Sequence, residues 1–366
     1  MELGIYSFAE RISDPHTGHL LSPEQRVKEI LEEIELADQV GLDLYGLGEH
    51  HREDFVASSP ALVLAAAAAR TKRIRLSSAV TVISSSDPVR VFEDFSTLDL
   101  LSGGRAEIMV GRGSFVESFP LYGFSLSEYD ELFEEKLGLL QQLNREERVT
   151  WSGKHRPALS EQPVHPRPVQ DELPVWIGVG GTPASALRAG RLGLPIALGI
   201  IGGDVRRFAP LLDLYKEEYL RAGHEPARMR ISVNAHGFVA DTAERALELV
   251  APYTAHAMQQ FLSLPASSLP TADYYRAEQE QLPGALVAGP PERVAEKILY
   301  QRDLFGLSRF LLQFSVGTLP HREVMHAIEL LGTEVAPLVR AETAETPAEE
   351  ELVGESFGTT TTGEAA

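Results

Sequence analysis

Glu49, His50 and His51 stand in a row behind the apolar run Leu44-Tyr45-Gly46-Leu47 and a single glycine, Gly48. A short strand that breaks at a glycine and then releases a carboxylate and two imidazoles to solvent reads as the rim of an active site. An imidazole ordinarily titrates near neutrality, which suits His50 to donate a hydrogen bond or act as a general base. A partly exposed histidine that satisfies a loop carbonyl accounts for the same residues equally well. Metal binding is disfavoured. Neighbouring residues of an extended chain point to opposite sides, no H-x-H or H-E-x-x-H spacing follows, and the chain has no cysteine. No metal ligand is assigned.

A second constellation is Gly180-Gly181-Thr182-Pro183, with Ser185 one turn later. The glycines let backbone amides approach a ligand, and Thr182-Pro183 opens a helix whose first-turn N–H groups lack internal partners and carry the positive end of its dipole. Thr182 and Ser185 add hydroxyls. Arg112, in Gly111-Arg112-Gly113, adds a fixed charge with a fork suited to phosphate. Together these groups read as a monophosphate site. Taken singly, they are also a turn, an N-cap and an ion-pair partner. The glycines around Arg112 do not meet the phosphate-loop pattern, and no serine-centred nucleophile elbow occurs. Phe115, Phe119, Tyr122 and Phe124 either wall an apolar pocket or anchor a loop, and Trp151 and Trp176 read as packing residues.

These side chains need elements to position them. Strands are expected over 3–8, 42–47, 74–83, 105–110, 174–179, 195–200, 229–239 and 309–314. Helices alternate with them, opening at Ser22-Pro23, Pro60, Asp87-Pro88, Ser127, Thr182-Pro183, Val205, Thr242, Pro290-Pro291 and His321. Eight strand–helix units predict a (β/α)8 TIM barrel over residues 1–340, with insertions at 149–173 and 252–283 in the strand-four/five and strand-seven/eight connections. A doubly wound open sheet is the competing architecture. In a barrel the chemistry sits at the carboxyl ends of the strands, which is where both constellations fall.

With 366 residues, 43% of them apolar, the chain has material for a large soluble core. The formal charge of −20 argues against nucleic-acid binding, which needs a basic footprint, and no apolar run is long enough to span a bilayer. The absence of cysteine and of a basic leader at Met1-Glu2-Leu3 fits a cytoplasmic enzyme. Residues 341–366, acidic and without an apolar face, are expected to form a disordered tail.

In sequence the chain resembles the bacterial luciferase-like, flavin-dependent monooxygenases. The resemblance rests on Gly48-Glu49-His50-His51, Ser78-Ala79-Val80 with Ser86-Asp87-Pro88-Val89-Arg90, Leu100-Leu101-Ser102-Gly103-Gly104-Arg105 and Val110-Gly111-Arg112-Gly113. It continues through Pro174-Val175-Trp176-Ile177, Gly193-Leu194-Pro195 and Gly289-Pro290-Pro291-Glu292. It implies a (β/α)8 barrel that binds FMN, with His50 as the catalytic histidine assisting proton transfer beside the flavin. Arg112 would grip the phosphate, with Gly180, Gly181, Thr182 and Ser185 on the helix side, and Ala79-Val80 would form a non-prolyl cis peptide under the ring. The resemblance also implies reduced FMN supplied by a separate flavin reductase, O2 and a small organic substrate, and a homodimer through the second and third helices. Dehydrogenases of the family use F420 instead, and luciferase has a non-catalytic partner chain, so both alternatives stay open. Gly111 stands where luciferases carry a reactive cysteine beside the phosphate arginine, which weakens any expectation of light emission.

Overall fold

The computed structural model describes residues 1–113, 115–262 and 265–343. Its strands are β1 (Glu2–Ser7), β2 (Leu44–Leu47), β3 (Arg75–Ser78), β4 (Thr81–Val82), β5 (Ala106–Gly111), β6 (Arg148–Trp151), β7 (Leu159–Pro163), β8 (Val175–Val179), β9 (Ile196–Ile200), β10 (Ile231–Val239), β11 (Val287–Gly289) and β12 (Arg309–Gln313). Eight of them pair in parallel around a closed ring, β1-β2-β3-β5-β8-β9-β10-β12, and β12 returns to β1 with Glu2 opposite Arg309. This is the (β/α)8 barrel, and the open sheet is excluded by that last pairing.

The helices that wrap the ring start where their caps say they should. The hydroxyl of Ser22 accepts from the Gln25 amide at 3.1 Å to open α1 (Pro23–Gln39). After α2 (Pro60–Ala68), Asp87 caps α3 (Pro88–Ser102) through the amides of Val89 and Arg90, and Gly103 closes it at φ 70°. A short turn, α4 (Ser118–Leu121), precedes α5 (Tyr129–Arg145), and α6 (Pro183–Leu192) follows β8. The remaining helices are α7 (Ala209–Arg221), α8 (Ala243–Leu262), α9 (Ala272–Glu280), α10 (Pro291–Phe305), α11 (His321–Leu330) and α12 (Ala336–Thr343). Among the described residues no helix is long and apolar enough to cross a membrane.

Five expectations need correction. The third strand is not one run over 74–83: it breaks between β3 and β4 at a cis peptide bond, Ala79–Val80, so the chain pairs with β5 on both sides of the break. The excursion at 149–173 is not irregular, because β6 and β7 form an antiparallel hairpin within it. The second insertion does not begin at Pro252, which lies inside α8; the helix carries on to Leu262 because its face still meets core, with Tyr253, Thr254 and Ala257 buried. A further strand, β11, pairs outside the ring with the end of β10. The expected tail at 341–366 starts too early, because residues 341–343 complete α12, and the acidic stretch from residue 344 onward lies outside the described residues.

The core is layered. Most apolar side chains fill the space between strands and helices, while Tyr6, Leu44, Ala79, Met109, Trp176, Ala197 and Leu311 fill the barrel interior. Below them Arg309 is held by Glu107 at 2.8 Å and Glu2 at 2.7 Å, and lies 4.2 Å from the ring centre of Trp176. Trp176 is thus a packing residue, as expected. The ion pairs close the amino-terminal end of the barrel, leaving the carboxyl end as the open mouth.

Candidate active site

A cavity of about 560 Å³ opens at that mouth, within the range of roughly 300–1,000 Å³ common for small-molecule pockets. His50, Ala79, Val80, Arg112, Gly180, Thr182 and Ser185 line it. Gly181 does not; at φ 114° it turns the chain between two residues that do.

The floor explains several sequence features at once. Val80 presses its side chain toward β5 and β8, where a Cβ on Gly111 or Gly178 would come within 2.7 and 2.9 Å of it. Glycine at 111 is therefore a packing necessity here, and a cysteine would displace Val80. Glu49 braces the same segment: its amide donates to the Val80 carbonyl at 3.2 Å, and its carboxylate accepts from the Val82 amide at 2.9 Å and pairs with His51 Nε2 at 2.9 Å. Glu49 and His51 are thus buried scaffolding, not groups presented to solvent.

His50 is enclosed by aromatic rings. Phe55 stacks on it at 4.2 Å, and Phe8 and Phe115 meet it edge-on at 4.9 and 5.4 Å. A Cβ on Gly48 would come within 2.6 Å of Phe8, so a larger residue there would push that ring out of place. Burial pushes the His50 pKa down to about 3, outweighing the attraction of Asp54. The expectation of a group titrating near neutrality is corrected accordingly: the imidazole is neutral. Of the other aromatics considered after the fourth strand, only Phe115 reaches the cavity. Phe119 is core, Tyr122 is exposed, and Phe124 lies under the Lys136 ammonium.

At the far end, Arg112 lies over the Tyr129 ring at 4.3 Å and donates to Asp130 at 3.2 Å. The first turn of α6 faces it. Thr182 occupies the N-cap position without using its hydroxyl to cap the helix; its carbonyl takes the Ser185 amide at 3.0 Å and Pro183 has no N–H, so among the described residues the Thr182 and Ser185 hydroxyls and the Ala184 amide are left for a ligand.

The opposite wall was missed in the sequence. Along β10 the polar residues Ser232, Asn234 and His236 recur at alternate positions, a period-two signal that places one face inward. His236 lines the cavity, forms no side-chain hydrogen bond among the described residues, and is held neutral by burial, its pKa lowered to about 4. Beside it Gln313 donates to Glu10 at 2.7 Å. Glu10 is fully buried with one carboxylate oxygen unpartnered, and burial lifts its pKa to about 8 against the pull of Arg26. No local pattern marks Glu10.

Residues 1–307 match the family model described as luciferase-like monooxygenase. The chain belongs to that family. The barrel superposes on the monooxygenase RslO1 from Streptomyces bottropensis with a TM-score of 0.79 and 26% identity, over 92% of this chain and 99% of that one. It also superposes on the oxygenating constituent of 3,6-diketocamphane monooxygenase from Pseudomonas putida, in complex with FMN, with a TM-score of 0.72 and 20% identity, over 92% and 98% of the chains; that likeness shows the fold. An F420-dependent glucose-6-phosphate dehydrogenase of Amycolatopsis mediterranei is 30% identical over 185 residues, 48% of this chain and 55% of its own. The cavity described above lies at the mouth of the shared barrel.

Proposed function

We propose that the chain is the oxygenating component of a two-component, FMN-dependent monooxygenase acting on a small organic substrate. The observation that carries this reading is one cavity joining an anion subsite to a neutral, water-excluded histidine. Arg112, the hydroxyls of Thr182 and Ser185 and the Ala184 amide at the start of α6 would hold the phosphate. Val80, seated against Gly111 and Gly178, would support the flat ring. When bound, reduced FMN supplies the electrons that split O2, with one oxygen atom entering the substrate and the other leaving as water.

The protein's own part is positioning and exclusion. Phe8, Phe55 and Phe115 keep water from His50. The neutral imidazole can donate from one nitrogen and accept at the other, so it can pass a proton without first being charged. An external reductase belongs to this reading: the sequence has no G-x-G-x-x-G fingerprint after a strand for a second nucleotide, and the diketocamphane relative is an oxygenating constituent. Dependence on such a reductase fits a cytoplasmic location.

F420 is the second reading, supported by the dehydrogenase relative. Its phosphate is a diester, with one negative charge where FMN carries nearly two. Titration of the protein with FMN, riboflavin and F420, followed by flavin fluorescence, separates the two. FMN is expected to bind at least about tenfold more tightly than riboflavin, and the reduced complex to consume O2. F420 binding without FMN binding would overturn the assignment.

A further inference from the structure

The anion subsite already holds an anion of its own. Asp130, the second residue of α5, places Oδ1 3.2 Å from Nη1 of Arg112 and 3.7 Å from Nη2 of Arg188. Arg188 lies on α6, one turn beyond Ser185, and only 8% of its side chain is exposed. Its Nε donates to Glu134 at 3.0 Å, and Glu134 also lies 3.8 Å from Arg191. Three guanidinium groups therefore face two carboxylates, leaving one positive charge. The α6 dipole adds about half a charge. A phosphate monoester carries about −1.5 to −2 at neutral pH, so the subsite with Asp130 in place falls short of a dianion.

The two carboxylates are not equivalent. Glu134 is held by Arg188 and Arg191 on the helix side, away from the cavity lining. Asp130 touches Arg112, the cation that lines the cavity, and 71% of its side chain is exposed. It can leave without uncovering buried surface, and a phosphate that takes Nη1 of Arg112 competes with it for that donor.

We propose that Asp130 is a resident counter-ion for Arg112 and Arg188 that the cofactor's phosphate must displace, and that it thereby sets the affinity and charge preference of the subsite. This rests on the phosphate reading of the preceding section. Removing the carboxylate charge gives the subsite two uncompensated guanidinium charges and so a stronger attraction for a monoester. Retaining it lowers affinity, which suits a reduced flavin that arrives from another protein and departs after each turnover.

The test compares FMN, riboflavin and inorganic phosphate on the wild-type chain and on Asp130→Asn, Asp130→Ser and Arg112→Ala. Affinities come from flavin fluorescence, with phosphate as competitor, and the FMN off-rate from stopped flow. Asp130→Asn and Asp130→Ser should tighten FMN about three- to tenfold and slow its release in proportion, leaving riboflavin unchanged. Inorganic phosphate should compete more strongly in both variants. A general change of fold would move riboflavin as well as FMN. If Arg112→Ala weakens FMN but both Asp130 variants bind it as the wild type does, the counter-ion role is wrong and the phosphate site stands. If FMN and riboflavin bind alike in every variant, the phosphate site itself is wrong and the proposal falls with it.

Discussion

His50 occupies a place where an imidazolium is poorly tolerated. Three aromatic rings and burial favour the neutral ring, whose pKa is lowered to about 3. A group depressed this far does not change charge between pH 5 and 9, so any limb of the pH–rate profile in that range belongs to another group. His50→Ala is expected to bind FMN within about threefold of the wild type and to lose roughly 10²-fold or more in coupled substrate oxidation. Full oxidation rates in that variant would remove His50 from the chemistry. Gly111 shows the same logic from the other side: its identity answers to the side chain of Val80, not to a reaction.

At the scale of elements, α2 and α3 carry large apolar side chains that stand exposed. α2 is apolar around its whole circumference, yet Leu62 is 73% exposed on it, and Leu101 on α3 is 61% exposed. A helix that is apolar on every side is ordinarily covered. A second copy of the chain is proposed to cover this face, and sedimentation velocity at about 10 µM should give a dimer. Leu62→Glu should shift it to monomer with the far-UV spectrum intact, and a wild-type monomer at that concentration would end the idea. Elements also explain why loops at opposite ends of the sequence meet. The strand carrying Gly46 pairs with that carrying Ser77, and so on around the ring, so every carboxyl-terminal loop is delivered to one mouth.

At the scale of the molecule, buried carboxylates respond to pH in opposite senses. Burial opposes the ionisation of Glu107, but Arg309 and Arg75 hold its pKa below the ordinary value, so its stabilisation is present at neutral pH and is lost as pH falls through the folded pKa. Glu10 is the reverse. Its folded pKa of about 8 lies above the ordinary 4.5, so the folded state keeps a proton that the unfolded state gives up. Its contribution is full below the ordinary value and declines as pH rises through 8. Glu10→Gln should therefore be close to neutral at pH 4.5 and stabilise by on the order of 3 kcal/mol at pH 9, read from urea midpoints at the two pH values. An equal effect at both would mean that Glu10 does not titrate as described.

The period of the hydrophobic pattern, the caps at Ser22 and Asp87 and the glycines that close α3 and α10, Gly103 and Gly306, are local features. Local features determine where strands and helices begin and end, so the barrel and the loops that carry His50, Arg112 and Thr182 were legible from the chain alone. The hairpin at β6 and β7 was not, because prolines interrupt that stretch and β7, exposed along its centre, carries no apolar alternation. Nor was the neutrality of His50, the brace made by Glu49, or the wall of His236, Gln313 and Glu10. Each of these depends on what stands opposite across the ring, up to 303 positions away for Gln313 and Glu10. Burial and partner geometry set the charge state of a group, and only the closed barrel decides both.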